Sequence, residues 1–455
     1  ADTSATLDLT ASGAYAGYTN ITALNSALDR WANTGTNLDT LAHAKTTLQS
    51  VADSYARVWG EADGDRTVDV NVNNSSAGND PEEADYANLL GGTLTALISS
   101  ANAKWLDLLN DCLGGLTTSS VSTATQVEDL IKVATNVMNQ AVGTGWSYTN
   151  NSEWVSALSS LGISGLSTMN ATDLATVKAN ITTVNASTEI DTWAELQSIV
   201  STVRINHYAE LNTNTTPTFT DYQAFFDYGT SGKTDLTNTT TYLNAFNDAV
   251  NYKPSNAFTS AEIKSLVNGY ASILAEANGA ATDQQSYDPN AADYIAVGVG
   301  SNDSNVLTLL SHASDGTEAT NTAELVTLMT DVVANKNQSE VDTVNELTGI
   351  AKIIAKIYDL ESYSGPATNG GSTGTASSAY TAIYGGALQV SELKALGLDT
   401  TNLENNYYST SVLNKRLYDV YDHITAIDHT SANSRALLDS LEEIKALIAN
   451  TSVIT

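Results

Sequence analysis

The sequence predicts a mainly α-helical protein made of tandem repeats of about 67 residues, each folding as a small helical bundle. A helix-start pattern recurs along the chain: a Ser, Thr or Asn, two further residues, then a Glu and apolar residues at helical spacing. Its clearest copy begins at Thr192, which has the spacing of a capping box with Glu195. The chain contains only five prolines, and β-branched runs are few, which favours helices over sheets.

The helix-start pattern has further copies, and three of its glutamates are evenly spaced. The interval from Glu128 to Glu195 equals that from Glu195 to Glu262, and Glu324 follows after a slightly shorter one. The other copies pair Thr125 with Glu128, Thr259 with Glu262, Asn321 with Glu324, Thr343 with Glu346, and Ser440 with Glu443. In a capping box both side chains bond free backbone N–H groups, so these residues are predicted to be structural caps.

A second marker shares nearly the same period: an acid and an aromatic or apolar residue, followed shortly afterwards by an apolar residue and Gly. Its copies are Asp85-Tyr86 before Gly91, Glu153-Trp154 before Gly162, Asp221-Tyr222 before Gly229, Asp293-Tyr294 before Gly298, and Glu392-Leu393 before Gly397. A Gly after an apolar run commonly ends a helix. Each repeat is therefore predicted to contain a short helix ending at Gly, a variable helical middle, and a capped helix.

The two markers divide the chain into an arm, six helical units and a linker. Residues 1–20 alternate apolar and polar groups, which indicates a short strand. They form either an arm that pairs with a neighbouring subunit or a locally packed terminus. Residues 21–78 are a degenerate first unit with a second alternating segment at 68–73. The remaining repeats span residues 79–146, 147–213, 214–286, 287–362 and 380–455, and the Gly/Ser/Thr-rich segment 363–379 is predicted to be a linker.

The charge of the chain restricts its partners and its location. Acids outnumber bases 51 to 19, for a net charge of −32, so nucleic acids and anionic membrane surfaces are not expected as partners. Charged residues make up only 15% of the chain. The abundant Thr, Ser and Asn are typical of secreted and cell-surface proteins. No apolar run approaches the roughly 18 residues of a membrane span, so membrane insertion is not expected.

The sequence contains no constellation that predicts catalysis. The lone Cys112 lies among leucines and is predicted to be a core residue, and it excludes an internal disulfide. The five histidines lack metal-ligand spacing, and no nucleophile elbow, phosphate loop or dinucleotide fingerprint is present. We therefore predict neither enzyme activity nor a cofactor. Calcium is the one metal with candidate ligands, Asp63 and Asp65, although their loop departs from the EF-hand pattern.

The acid–aromatic and apolar–Gly markers, together with Asp191-Thr192-Trp193-Ala194-Glu195-Leu196-Gln197, resemble helical tandem repeats of very large secreted or surface proteins of bacteria. Those proteins include adhesins and S-layer-like proteins. The resemblance covers most of residues 80–455, but the glycine–aspartate nonapeptides of a calcium-binding export signal are missing. It implies a structural or adhesive role outside the cell, with no catalytic residues to carry over.

Two functions follow from these observations. The first is a secreted structural protein that assembles with copies of itself into an extracellular filament or surface layer, or forms the helical part of an adhesin that contacts a cell-surface receptor. The alternative is an extracellular module that binds a glycan or another small ligand through aromatic side chains. The candidate anchors for such a ligand are Trp31, Trp59, Trp105, Trp146, Trp154 and Trp193.

Overall fold

A computed structural model gives the architecture of most of the chain. It describes residues 21–34, 41–62, 80–91, 93–98, 104–143, 147–148, 150–184, 190–211, 216–227, 240–252, 257–277, 288–304, 306–307, 310–311, 321–361, 389–401 and 440–451. The predicted N-terminal arm, the alternating segment at 68–73 and the predicted linker lie outside these ranges. The mainly helical class is confirmed, because the described residues form 17 α-helices and no strand.

The chain divides into two compact halves, Ala1–Ala224 and Phe225–Thr455. The α-helices of the N-terminal half are α1 (Ile21–Thr34), α2 (Leu41–Glu61), α3 (Glu83–Leu89), α4 (Leu94–Ile98), α5 (Trp105–Gly114), α6 (Ala124–Ala141), α7 (Asn151–Ser160), α8 (Ala171–Thr183), α9 (Trp193–Leu211) and α10 (Phe219–Gln223). Those of the C-terminal half are α11 (Thr240–Tyr252), α12 (Ser260–Glu276), α13 (Ala291–Val297), α14 (Asn321–Ala334), α15 (Val344–Glu361), α16 (Val390–Ala395) and α17 (Leu441–Thr451). Short 3-10 helices at Thr118–Val121, Leu166–Thr168 and Gln338–Glu340 complete the set.

In the N-terminal half, short helices pack against the long helices that precede them. Helix α2 contacts α3, and α9 contacts both α8 and α10. Large aromatic side chains fill the core; Trp154, Tyr55, Tyr86 and Tyr222 are fully buried. Cys112 is fully buried in the same core, as the sequence predicted. Burial of such rings removes much apolar surface from water and stabilises the helix pairs.

The C-terminal half uses the same kind of packing, with α12 against α13 and α14 against α15. One apolar stripe of α15 is buried along its length; its described members are Leu347, Ile350, Ala351, Ile354 and Ile357. Their spacing of three and four residues places them on one face of the helix. Helices α12 and α13 approach so closely that a Cβ added at Gly269 would lie 2.8 Å from the carbonyl oxygen of Asp293.

The second sequence marker corresponds to short helices with defined ends. Its acids occupy the third position of α3, α7, α10, α13 and α16, and the following aromatic or leucine side chain is buried. The glycines of the marker adopt left-handed backbone conformations, which side chains with a Cβ rarely adopt. Their φ values are +60° at Gly91, +76° at Gly162, +105° at Gly298 and +85° at Gly397, whereas Gly229 is outside the described residues.

Within the described ranges, none of the helices combines the length and the apolar character needed to cross a bilayer.

Candidate functional site

The predicted caps of the long helices form the hydrogen bonds of capping boxes. At the start of α9, the Thr192 N–H and hydroxyl donate to Glu195 Oε2 at 3.0 and 2.9 Å, and the Glu195 N–H donates to Thr192 Oγ1 at 3.2 Å. Thr259 and Glu262 repeat this arrangement at α12, with distances of 2.8, 3.0 and 3.2 Å. Each box satisfies backbone N–H groups that have no partner inside the helix.

Two further boxes follow the same geometry in the C-terminal half. At α15 the corresponding distances between Thr343 and Glu346 are 3.1, 2.8 and 3.3 Å. At α17 the Ser440 N–H donates to Glu443 at 3.1 Å, and the Glu443 N–H donates back to the Ser440 hydroxyl at 3.3 Å. Asn321 is the first residue of α14, but its side chain and that of Glu324 lie outside the described part of the chain.

The prediction that Thr125 and Glu128 cap a helix is wrong. Helix α6 is capped two residues earlier, where the Thr123 hydroxyl accepts from the Gln126 N–H at 3.2 Å. Glu128 instead forms ion pairs with Lys132, at 2.8 Å, and with Arg30. Burial raises the pKa of Glu128, but its two cationic partners outweigh this effect and lower the pKa below the ordinary value.

Three of the short-helix acids each bind two partners at once, which the sequence did not reveal. In α3, Asp85 Oδ2 accepts from the Glu82 N–H at 2.9 Å and so caps its own helix. Its other oxygen, Oδ1, accepts from the Ser54 hydroxyl at 2.8 Å and from Arg57 at 2.9 Å, both on α2. Asp85 therefore starts one helix and holds the preceding long helix against it.

At two other short helices an acid likewise combines a cap contact with a contact to the preceding long helix. In α10, Asp221 Oδ2 accepts from the Thr218 N–H at 2.7 Å, while Oδ1 accepts from Arg204 of α9 at 3.0 Å. In α16, Glu392 Oε2 accepts from the Gln389 N–H at 2.8 Å, while Oε1 pairs with Lys356 of α15. We call this arrangement the bridging carboxylate, with members Asp85, Asp221 and Glu392.

The ion pair of Asp221 is more deeply buried than those of the other two bridging carboxylates. Its side chain is 0% exposed and that of Arg204 is 8% exposed. Burial is the largest influence and raises the pKa of Asp221, while the Arg204 charge and the Thr218 hydrogen bonds oppose the rise. A raised carboxyl pKa can mark an acid–base catalyst. Here both oxygens already accept hydrogen bonds from the chain itself, so a structural ion pair accounts for it.

The remaining predicted sites do not form a binding centre in the described residues. Asp63 and Asp65 lie outside those residues, and within the described ranges no group of three or more His, Cys, Asp or Glu side chains could hold a metal ion. Among the proposed ligand anchors, Trp105, Trp154 and Trp193 are buried in the core, so their faces are closed to a ligand. Trp31 and Trp59 are partly buried against that core, and Trp146 is not described.

One open groove of about 490 Å³ lies between α1 and α6. It is lined by Thr22, Asn25, Ser26, Asp29, Arg30 and Thr125. The Arg30 guanidinium donates to the Thr125 hydroxyl at 3.2 Å and pairs with Glu128, so its charge is already compensated. Ligand sites are mainly apolar and enclosed, and this groove has neither property.

We expect the Thr259→Ala variant to lose about 1 kcal/mol of helix stability, because the Glu262 N–H no longer has the cap hydroxyl as its acceptor. The loss should be confined to α12 and its contacts, and hydrogen exchange across Ser260–Glu276 measures it. Ser265→Ala is the matched control, since the Ser265 hydroxyl bonds back to the Ala261 carbonyl in mid-helix and its loss is close to neutral. Cooperative unfolding of the whole chain in Thr259→Ala would contradict the expectation.

No protein-family model, curated protein or solved structure matches this chain.

Proposed function

We propose that this chain is a secreted structural protein whose helical repeats form an extracellular filament or surface layer with copies of itself, or serve as the helical part of an adhesin. The bridging carboxylate carries the proposal. At Asp85, Asp221 and Glu392, an acid is committed to starting one helix and binding the long helix before it. Acids with these contacts have a structural role, and the arrangement occurs three times in the described part of the chain.

The repeat organisation is part of the same proposal. Short, middle and capped helices follow one another in a constant order, which supports repeats of about 67 residues. The groups in that order are α3 to α6, α7 to α9, α10 to α12, and α13 to α15, whereas the segment between α16 and α17 lies outside the described residues. In a repeat array each unit contacts its neighbours, so such a chain can span distance without a single large core.

The described surface suggests how copies would meet. Among the described residues, Val142 is the only large apolar side chain that is strongly exposed, at 50%. Contacts between copies would therefore use the Thr, Ser and Asn side chains and the excess carboxylates, with divalent cations as bridges between the latter. The buried state of Trp105, Trp154 and Trp193 weighs against the alternative of a glycan-binding module.

Negative-stain electron microscopy of the purified chain tests the proposed assembly. With millimolar Ca²⁺ we expect ordered filaments or sheets, and chelation should disperse them, because carboxylates of neighbouring copies repel each other once the cation is removed. Millimolar Mg²⁺ is the control for a general effect of divalent charge. Dispersed particles under every condition would overturn self-assembly and leave the adhesin role, whereas a bound metal with hydrolytic activity would overturn the structural assignment.

A further inference from the structure

A polar dipeptide recurs on the middle helices of the chain. Three helices, α5, α11 and α14, carry it as Asn110-Asp111, Asn247-Asp248 and Thr330-Asp331, each followed by a small or apolar residue. Helix α1 carries Asn25-Ser26 in the same setting. The contacts of these residues are not apparent from the sequence, because their partners lie far away along the chain.

In two copies, the first residue of the dipeptide binds the short helix that precedes it or the proline just before that helix. Asn110 accepts from the Tyr86 hydroxyl at 2.6 Å and donates to the Pro81 carbonyl at 2.8 Å. In the C-terminal half, Thr330 donates to the Pro289 carbonyl at 3.0 Å, and its hydroxyl lies 3.2 Å from that of Tyr294. Both sets use the same sequence motif, Asp-Pro, three residues, then Asp-Tyr, at 80–86 and 288–294.

The aspartate of the dipeptide binds the first backbone N–H of a long helix. Asp111 Oδ2 accepts from the Trp193 N–H at 2.5 Å, across 82 residues of sequence. Asp248 Oδ2 accepts from the Val344 N–H at 2.7 Å, across 96 residues. Asp331 Oδ2 accepts from the Leu441 N–H across 110 residues. On α1, the uncharged counterpart Ser26 accepts through Oγ from the Ala124 N–H at 3.1 Å.

These contacts provide a hydrogen-bond acceptor for a backbone N–H that the capping box leaves unsatisfied. In a capping box the cap residue and its acid satisfy N–H groups at the cap and third positions, so the N–H of the first helical residue is left without a partner. A carboxylate is the strongest acceptor for that group, and its charge interacts favourably with the positive end of the helix dipole. At α9, Lys104 at the start of the middle helix adds a second contact, because it pairs with Asp191 at 2.6 Å just before the cap.

We propose that the dipeptide couples successive repeats: its first residue fixes the middle helix to the short helix of the same repeat, and its aspartate completes the start of the long helix in the next. Where the dipeptide is present, the coupling has a direction, from the repeat that carries it to its C-terminal neighbour. The inference rests on the proposed repeat organisation for the order of the units. Its test, however, measures single amides in the dispersed chain and is independent of any assembly between copies.

Hydrogen exchange in paired variants tests the coupling. In Asp111→Ala we expect the Trp193 amide to exchange roughly tenfold faster, the factor that loss of one charge-assisted hydrogen bond represents. The Leu441 amide should be unchanged in that variant. Asp331→Ala should give the reverse result, with faster exchange at Leu441 and no change at Trp193. Each variant thus controls for the other.

Asp129→Ala controls for removing an aspartate from a helix, because Asp129 is exposed and pairs with the nearby Lys132. It should leave the Trp193 amide unchanged. Asp111→Asn keeps an oxygen acceptor and should accelerate exchange less than Asp111→Ala does; it also provides the readout if the alanine variant fails to fold. Unchanged exchange at Trp193 in both Asp111 variants would overturn the proposal. Equal acceleration throughout the neighbouring helix α8 (Ala171–Thr183) would also overturn it, because the effect would then not be specific to the Trp193 amide.

Discussion

Arg204→Met is expected to lower the free energy of unfolding of the N-terminal half by about 3–5 kcal/mol, the usual cost of leaving one member of a buried ion pair without its partner. The Asp221 side chain is fully buried, and methionine keeps most of the apolar volume of Arg204 while removing the charge. Urea unfolding followed by tryptophan fluorescence measures the loss, since all six Trp residues lie between positions 31 and 193 and report only on this half.

The loss in free energy of unfolding caused by Arg204→Met, here called the deficit, should also depend on pH, and the direction of that dependence can be predicted. Burial raises the pKa of Asp221, and removal of Arg204 allows it to rise further. A carboxyl whose pKa is raised by folding contributes stability that is fully present below its unfolded pKa, about 3.9, and lost as the pH rises through the folded value. The deficit is therefore largest near neutral pH and should shrink as the pH falls toward about 4.

Two further variants define the interpretation of the Arg204 result. Lys132→Met removes an exposed base from the same half and should cost no more than about 1 kcal/mol. The double variant Arg204→Met with Asp221→Asn removes both charges and should recover most of the loss. A deficit that equals that of Lys132→Met, or that grows on acidification, would contradict the role given to this ion pair.

Gly269→Ala is expected to destabilise the C-terminal half by about 2 kcal/mol, although the same change in an open helix stabilises by up to about 1 kcal/mol. The added Cβ would lie 2.8 Å from the Asp293 carbonyl oxygen and 3.2 Å from its Cα, and backbone atoms cannot rotate away as a side chain can. The two helices must therefore separate. Hydrogen exchange across Ser260–Glu276 measures the sign of the effect, and we expect it to be faster in the variant.

Gly349 provides the matched control for this change. It lies in the interior of α15, and a Cβ added there meets no atom within 4 Å. Gly349→Ala should stabilise α15 by about 0.5–1 kcal/mol through helix propensity alone. Opposite signs for the two substitutions would establish the close approach of α12 and α13, and the same sign for both would refute it.

Local sequence patterns identified the helix starts because a capping box is complete within a single helical turn. Thr259 with Glu262 needs no partner elsewhere, so its spacing alone predicts the geometry. The error at α6 has a physical reason: Thr123 with Gln126 offers the same spacing two residues before Thr125 with Glu128, and the pattern does not choose between registers. Arg30, distant in sequence, takes the Glu128 carboxylate.

The long-range polar contacts could not be predicted from local patterns. Asp111 and Asp331 resemble ordinary acids of amphipathic helices. Their partners at Trp193 and Leu441 are determined by the packing of helices that are distant in sequence. A signal was nevertheless present in the recurring dipeptide, an Asn or Thr before the aspartate with a small or apolar residue after it. Aligning the middle helices with one another, rather than the long helices alone, would have found it.

The bridging carboxylates use basic residues within the chain, which leaves an excess of negative charge that acts between chains. Arg57, Arg204 and Lys356, the bases of these contacts, compensate acids of the same chain. The net charge of −32 is the excess of acids that remains after every base is counted. Two such chains repel each other at separations up to a Debye length, about 8 Å at physiological ionic strength and about 3 Å at 1 M salt. The salt concentration of the medium thus sets how closely two such chains can approach each other.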